Sequence, residues 1–344
     1  MPNWTKEQSD AIYKTGTNII VSAGAGSGKT AVLSERVIEK LKSGIHINEL
    51  LILTFTKAAA SEMKERIRKK IKKIPELSKE LDLIDASYIT TFDSFAMSIV
   101  KKYHYLLNVS KNISIIESSV IEIKKKNILD NIMDYYYSSN DPRFIKLINN
   151  FCIKDDLNVK EGILLINNKL DLRIDKIEYL SNYVSNNYEP FKIKEDINKY
   201  ILLLKEKIEI IKSQVDNLSL YLDNDYITLV NDSLYGLFNS ETYEEIKAYS
   251  NISLPRLPRG VSEEAKKEKE SLGKLLTKLN ELCPYTNEEE IYNSILSTKD
   301  TVSIICEIII KLHNEIMEYK KINDIYEFND IAIMAINVLD NMEV

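Results

Sequence analysis

Residues 23–30 read Ala-Gly-Ala-Gly-Ser-Gly-Lys-Thr, and no other stretch constrains the fold of this chain so tightly. Glycines let a backbone turn sharply enough for successive N–H groups to converge on one anion. Such a loop needs a strand to deliver it and a helix to follow it, because the helix adds its positive N-terminal end. Both are present in pattern. NIIVS (18–22) is an apolar run, expected as a buried parallel strand. Residues 29–42 place Val32, Leu33, Val37, Ile38 and Leu41 at helical spacing. Three of only nine glycines fall within residues 24–28, which an incidental turn with a lysine does not explain. The pattern is that of a phosphate-binding loop. Ala23, Gly24, Ala25, Gly26, Ser27 and Gly28 are expected to wrap phosphates. Lys29 is expected to reach the β and γ phosphates, and the Thr30 hydroxyl to ligate Mg²⁺. The cofactors implied are ATP and Mg²⁺.

The same strand–loop–helix grammar recurs through the front of the chain. Residues 5–15 predict a short helix with Thr5 as N-cap and Gln8 at its third position, stopped by Gly16. LLILT (50–54) predicts a second buried strand, followed by a helix to about Lys73. YITTF (88–92) predicts a third strand, with a helix from Ser94 to Tyr105. The front is therefore expected to be an α/β P-loop domain. From about residue 110 to 320 the pattern changes to long amphipathic helices. In the clearest, Asp196 to Leu222, the apolar positions are Ile197, Ile201, Leu204, Ile208, Ile211, Val215, Leu218 and Leu222, a heptad seam. A helix packed inside its own domain is expected there, in preference to a dimerising coiled coil. Tyr135, Tyr136 and Tyr137 are expected to divide between helix surface and core. NISLPRLPRG (251–260) reads as a proline-rich loop.

Charge divides the chain at the same place. Residues 1–108 hold 17 Lys+Arg against 12 Asp+Glu, a net of +5; residues 109–344 hold 29 against 40, a net of −11. A basic front and an acidic back bear on partners more than the total of −6 does. The three cysteines are far apart, with neither metal-type spacing nor an even disulfide framework, so a reducing cytoplasm is expected. No apolar run reaches the roughly 18 residues of a membrane span, and the N-terminus lacks a signal pattern.

Four segments in order narrow the P-loop class. WTKEQSDAI (4–12), the phosphate loop, LTFTKAAASEMKERI (53–67) and YITTFDSFAMSIVKKY (88–103) together resemble the motifs of UvrD/Rep-like superfamily 1 DNA helicases. In that family the glutamine matching Gln8 reads adenine, and a carboxamide can donate and accept on a base edge at once. Taken bare, the same glutamine is a capping-box partner; it stands 15 residues before the loop, as in the family. The resemblance implies that single-stranded DNA lies over Thr54, Phe55, Thr56 and Lys57, and near Thr91 and Ser94. Hydroxyls at strand ends can hold phosphates, and Phe55 can pack under a base or in the core. KERIRKKIKK (64–73) has seven basic residues and one acidic, a solvated face or a phosphate-facing one. Asp93 stands where many members carry histidine, which removes a donor at that point; it is expected to cap the following helix.

Within the family the long helical stretch, the LPRLPRG loop and EYKKINDIYEFNDIAIMAINVL (318–339) are similar to A subunits of AddAB-type helicase–nucleases. That resemblance implies an incomplete RecA-like domain with a large, mostly α-helical inserted domain. Residues 1–108 would begin domain 1A, 109–320 form the insertion called 1B, and 321–344 return into 1A before its Asp-Glu Mg²⁺ motif. It implies the N-terminal fragment of a 3′-to-5′ helicase/nuclease that serves double-strand-break repair. The partners implied are DNA and an AddB-like second helicase–nuclease chain. Little ATP turnover is expected from the fragment, since hydrolysis needs carboxylates and an arginine finger not found here. Three alternatives stay open: a plain UvrD/Rep-like repair helicase, an unrelated P-loop enzyme such as a small-molecule kinase, and a non-catalytic module that docks a partner. The kinase reading leaves TFTKAAASEM unexplained.

Overall fold

A computed structural model describes residues 4–24 and 26–341. The chain begins with helix α1 (Lys6–Tyr13), then α2 (Lys29–Lys42), strand β1 (Leu51–Thr54) and α3 (Lys57–Ile71). After a short α4 (Glu80–Leu83) come β2 (Tyr88–Thr91), α5 (Phe92–Lys102), a two-residue strand β3 (Ser114–Ile115) and α6 (Ser118–Ser139). Helices α7 (Pro142–Phe151), α8 (Leu157–Leu170), α9 (Lys176–Asn187), α10 (Pro190–Ser219) and α11 (Asn224–Phe238) follow. Next are α12 (Tyr243–Ala248), α13 (Glu263–Glu281), α14 (Glu288–Ser297), α15 (Lys299–Ile322), strand β4 (Ile325–Tyr326) and α16 (Phe328–Asn341). Two compact units result. One comprises the chain up to Lys124 together with the part from Met317 onward; the other is Lys125–Ile316.

In the first unit β1 and β2 pair in parallel, in the register Leu51↔Tyr88 through Thr54↔Thr91. Side chains from α2 and α3 pack with them: Val37, Ile38 and Leu41 from α2, Ile52 and Ile89 from the strands, Met63, Ile67 and Ile71 from α3. The spacing of Ala60, Met63, Ile67 and Ile71 is the three-and-four step of a helix with one buried face. A smaller cluster joins α1 to α2 through Ala11, Ile12 and Val32, with Trp4 against it. A third packs α16 on α5, through Ile331, Ala335 and Val338 against Ile99 and Val100. There β4 pairs with β3 in parallel, Ser114↔Ile325 and Ile115↔Tyr326. Buried Lys320 fixes that turn, with Nζ 2.6 Å from both Glu327 Oε2 and Asp330 Oδ2. A charge so buried persists only where partners of opposite sign meet it.

One expectation from the sequence fails here. Residues 18–22 do not form a strand, and they are not buried: Ile20 is 97% exposed and Val21 55%. A strand is completed by its ladder partners, and this segment has none among the described residues. The apolar run states a tendency that only a neighbouring backbone can satisfy.

In the second unit the heptad seam lies on α10, which begins at Pro190, a residue suited to the first helical position. Ile193, Ile197, Ile201, Leu204, Ile208, Ile211, Val215 and Leu218 are all buried against apolar residues of α11, α12, α13 and α14. The seam is thus consumed inside the unit. Leu222 falls beyond the helix end but packs on the same core. Tyr136 is buried, while Tyr135 and Tyr137 are exposed. Residues 251–260 carry no helix or strand, and the Tyr226 hydroxyl anchors them by donating to Pro255 O at 2.9 Å. No described helix is long and apolar enough to cross a membrane. Cys152, Cys283 and Cys306 are free thiols.

Candidate functional site

The phosphate loop of the sequence is a tight turn that feeds directly into α2. The Ser27 Oγ and backbone N–H both donate to Gly24 O, at 2.8 and 3.4 Å. Gly26 has φ +77° and Gly28 φ +82°, the left-handed region that a side chain strains. Ala25 lies outside the described residues. Gly28 is the N-cap of α2 and offers no side chain to the first helical amides. A helix N-terminus left this way presents unpaired N–H donors and a partial positive charge to an anion. Lys29 Nζ donates to Ala23 O at 2.7 Å and Gly24 O at 3.0 Å, so the ammonium lies over the loop it follows. Thr30 is exposed in the first turn of the helix.

Helix α1 closes the other side. Thr5 and Gln8 form a reciprocal capping box: Gln8 N–H donates to Thr5 Oγ1 at 3.3 Å, and Thr5 N–H to Gln8 Oε1 at 3.0 Å. The same amide reaches the loop, its Nε2 donating to Ser27 O at 3.2 Å. Between α1, the segment before the loop and α2 lies a cavity of ≈ 550 Å³, of the size that takes a small ligand. Gln8, Ala11, Ala23, Ser27, Lys29 and Val32 line it, along with Glu7, Leu33 and Arg36. The Glu7 carboxyl is held below the usual carboxylate range, first by its own backbone N–H and then by the Thr5 hydroxyl. It stays ionised at neutral pH, so the lining carries a carboxylate from α1 and a lysine from α2.

Among the described residues, no group of three or more His, Cys, Asp or Glu could hold a metal ion. Mg²⁺ keeps most of its shell from water and phosphate oxygens and takes few protein ligands. The Thr30 hydroxyl beside a phosphate loop fits that demand as one such ligand.

The second set of predicted residues gathers at the C-terminal ends of β1 and β2, which the register Thr54↔Thr91 brings level. Their hydroxyls are largely engaged. Thr54 Oγ1 lies 3.0 Å from Thr56 O and 3.4 Å from Thr90 O. Thr56 Oγ1 accepts from Ala59 N–H at 3.1 Å and caps α3. Thr91 caps α5, accepting from Ser94 N–H at 3.2 Å and donating to Ser94 Oγ at 2.9 Å. The cap of α5 is therefore Thr91, and Asp93, expected in that role, sits inside the first turn. The helix begins two residues earlier than predicted because Thr91 is itself a good cap with extended backbone angles. Lys57 is exposed.

Phe55 is 97% exposed, which rejects the core position left open for it. Phe92, one residue past β2 as Phe55 is one past β1, is 61% exposed. The sequence signal for it is the parallel between TTF (90–92) and LTF (53–55). In the basic run of α3, Lys64, Arg66, Arg68 and Lys70 pair with Asp85, Glu62, Glu65 and Glu35. Most of that run is thus a neutralised surface, with Lys69, Lys72 and Lys73 the exposed remainder.

A glycine-rich turn feeding a helix, a capping-box helix beside it and two threonine-ended parallel strands are the features of an α/β P-loop domain. The family model for the UvrD/REP helicase N-terminal domain matches residues 4–344, and the chain belongs to that family. Its relatives include proteins named as the A subunit of an ATP-dependent helicase/nuclease. The one from Lactobacillus gasseri is 48% identical over 116 residues, 31% of this chain and 10% of that protein. The one from Ligilactobacillus salivarius is 28% identical over 388 aligned positions, 98% of this chain and 30% of its own length. A third, from Heliobacterium modesticaldum, is 46% identical over 114 residues, 31% of this chain and 8% of its own. The chain thus spans at most about a third of these relatives.

Proposed function

We propose that this chain is the nucleotide-binding front of a DNA helicase motor, of the kind carried by its relatives named as helicase/nuclease A subunits. The observation that carries the reading is the uncapped N-terminus of α2, with Gly28 left-handed and Lys29 and Thr30 in the first turn. ATP would place its phosphates against those amides, with Lys29 exchanging its two carbonyl partners for phosphate oxygens and Thr30 reaching Mg²⁺. The bound nucleotide supplies the free energy of phosphoryl transfer; the residues of this chain hold and orient it. Gln8, on the lining of the cavity, is placed to meet the base. Single-stranded DNA is proposed to run over the ends of β1 and β2, with bases stacked on Phe55 and Phe92 and Lys57 and Ser94 at its backbone.

The remaining assignments follow the family. Lys125–Ile316 is proposed to serve as the inserted 1B domain and the segment from Ile325 as the return into 1A. Exposed Arg256 and Arg259 in the proline-rich loop are its proposed DNA-facing cations. The longer protein is proposed to be a 3′-to-5′ helicase/nuclease of double-strand-break repair in the cytoplasm, paired with a second helicase–nuclease chain. This chain alone is proposed to bind ATP with little hydrolysis, since phosphoryl transfer also needs a metal-holding carboxylate and an arginine finger, neither of which is assigned in this sequence.

Calorimetric titration of ATP with Mg²⁺ tests the reading. Binding by the unaltered chain, abolished in Lys29→Ala, is the expected result. An unaltered, folded chain that binds no ATP, or a Lys29→Ala chain that binds equally well, would overturn it.

A further inference from the structure

Helix α1 has eight residues, too few to be stable alone, since isolated helices below roughly 12 residues are marginal in water. Its C-terminal end also lacks the usual supports. No basic residue stands in its last turn, and the C-cap Lys14 is extended instead of left-handed. The carbonyls there are met from elsewhere in the chain. Arg36 Nη1 lies 2.8 Å from Ala11 O, 3.3 Å from Ile12 O and 3.0 Å from Lys14 O. Two hydrogens on one nitrogen are shared among three acceptors, and a full positive charge faces the negative end of the helix. Arg36 belongs to α2, two turns beyond Lys29, and lines the same cavity as Gln8.

We propose that Arg36 is the positioning residue that registers the base end of the nucleotide cavity against its phosphate end. This rests on the nucleotide reading given above. Lys29 and Thr30 are fixed by α2 itself, because they are its first two residues. Gln8 is carried by α1, which docks on α2 by Ala11 and Ile12 against Val32 and by the guanidinium bridge; its carboxamide adds a single 3.2 Å hydrogen bond to Ser27 O of the loop. The apolar contact holds α1 down but slides easily, because dispersion and burial have little direction. The contacts from the one Nη1 nitrogen to three carbonyls are directional, and they set its angle and rotation. Removing them leaves the phosphate loop in place and lets the carboxamide of Gln8 drift.

The test compares the full chain with Arg36→Met, which keeps the apolar stem, and Arg36→Lys, which keeps the charge and donors. Each is titrated with ATP, GTP and inorganic tripolyphosphate in the presence of Mg²⁺. In Arg36→Met, ATP affinity is expected to fall about tenfold, the size of one lost base contact. Tripolyphosphate affinity should stay within about twofold and the preference for ATP over GTP should collapse. Arg36→Lys should recover most of the preference. Equal losses for ATP and tripolyphosphate, or a preference retained in Arg36→Met, would overturn the inference while leaving the nucleotide reading intact. Amide exchange gives a readout that needs no ligand: protection should fall in α1 and hold in α2, and unchanged protection in α1 overturns the inference. A wild-type chain that binds none of the three ligands overturns the nucleotide reading, and with it the assignment of Arg36 to a nucleotide site.

Discussion

Three helices of the first unit begin at a loop that the sequence marks as functional, and they begin in two different ways. Helix α2 starts from Gly28, whose φ is +82° and which has no side chain to satisfy the first amides. Helices α3 and α5 start from Thr56 and Thr91, whose hydroxyls accept from Ala59 and Ser94 N–H groups. The first end is left open to a ligand, and the other two are closed by the chain itself. A hydroxyl already accepting from its own helix has less to offer a phosphate, and at the closed ends it is the exposed rings that remain free. On the proposed reading phosphate is taken at α2, while exposed Phe55 and Phe92, just past β1 and β2, are left for bases.

That contrast can be broken at either end. The largest effect is expected at the closed ends, from replacing their two aromatic rings together. Phe55→Ala with Phe92→Ala should weaken single-stranded DNA binding by about 1–3 kcal/mol for each stacked base. Thermal stability should be nearly unchanged, since both rings are exposed; fluorescence anisotropy with a short labelled strand reads the first effect and melting the second. Full affinity in the double variant would leave the rings without a role.

A smaller loss is expected at the open end. In Gly28→Ala the added Cβ would lie 3.5 Å from Gln8 Nε2, an ordinary contact, so the cost comes from the left-handed backbone. That strain is about 1–2 kcal/mol, and ATP affinity should drop by a comparable factor as the loop reshapes. Unchanged ATP affinity by calorimetry would mean that the conformation of Gly28 is not needed.

The finest comparison exchanges one hydroxyl for a methyl at each kind of end. Thr56→Val should destabilise the unit by about 1 kcal/mol, as a lost N-cap does. Thr30→Val should cost little stability, because its side chain is exposed and caps nothing, yet it should lower the Mg²⁺ dependence of ATP binding. Denaturant melts beside titrations with and without Mg²⁺ measure both. Equal destabilisation by the two variants would erase the distinction between open and closed ends.

Much of this was legible in the residues themselves. The helices α1, α2, α3 and α10 were marked by caps, glycines and three-and-four spacing, all set within a turn or two of chain. The capping box of Thr5 and Gln8 and the left-handed glycines of the loop were likewise local. The misreadings of NIIVS and of the basic run turn on groups distant in the chain, and that of Asp93 on a competing cap nearby. NIIVS looked like a strand, but a strand exists only beside another backbone. Asp93 looked like a cap, but Thr91, two residues earlier, had the better backbone angles. The basic run of α3 looked free, but Asp85 and Glu35, 17 residues from Arg68 and 35 from Lys70, neutralise part of it.

Sequence alone determined most of the helices, the strands β1 and β2 and the turn of the glycine-rich loop, because glycine, threonine caps and apolar period act through near neighbours. Only the tertiary structure decided which polar groups are already committed and which remain available. It gave Arg36 the end of α1, set Thr54 level with Thr91, left Phe55 and Phe92 in solvent and buried the seam of α10 within its own unit. Those outcomes depend on groups far apart in the chain meeting in space, and no local pattern encodes such a meeting.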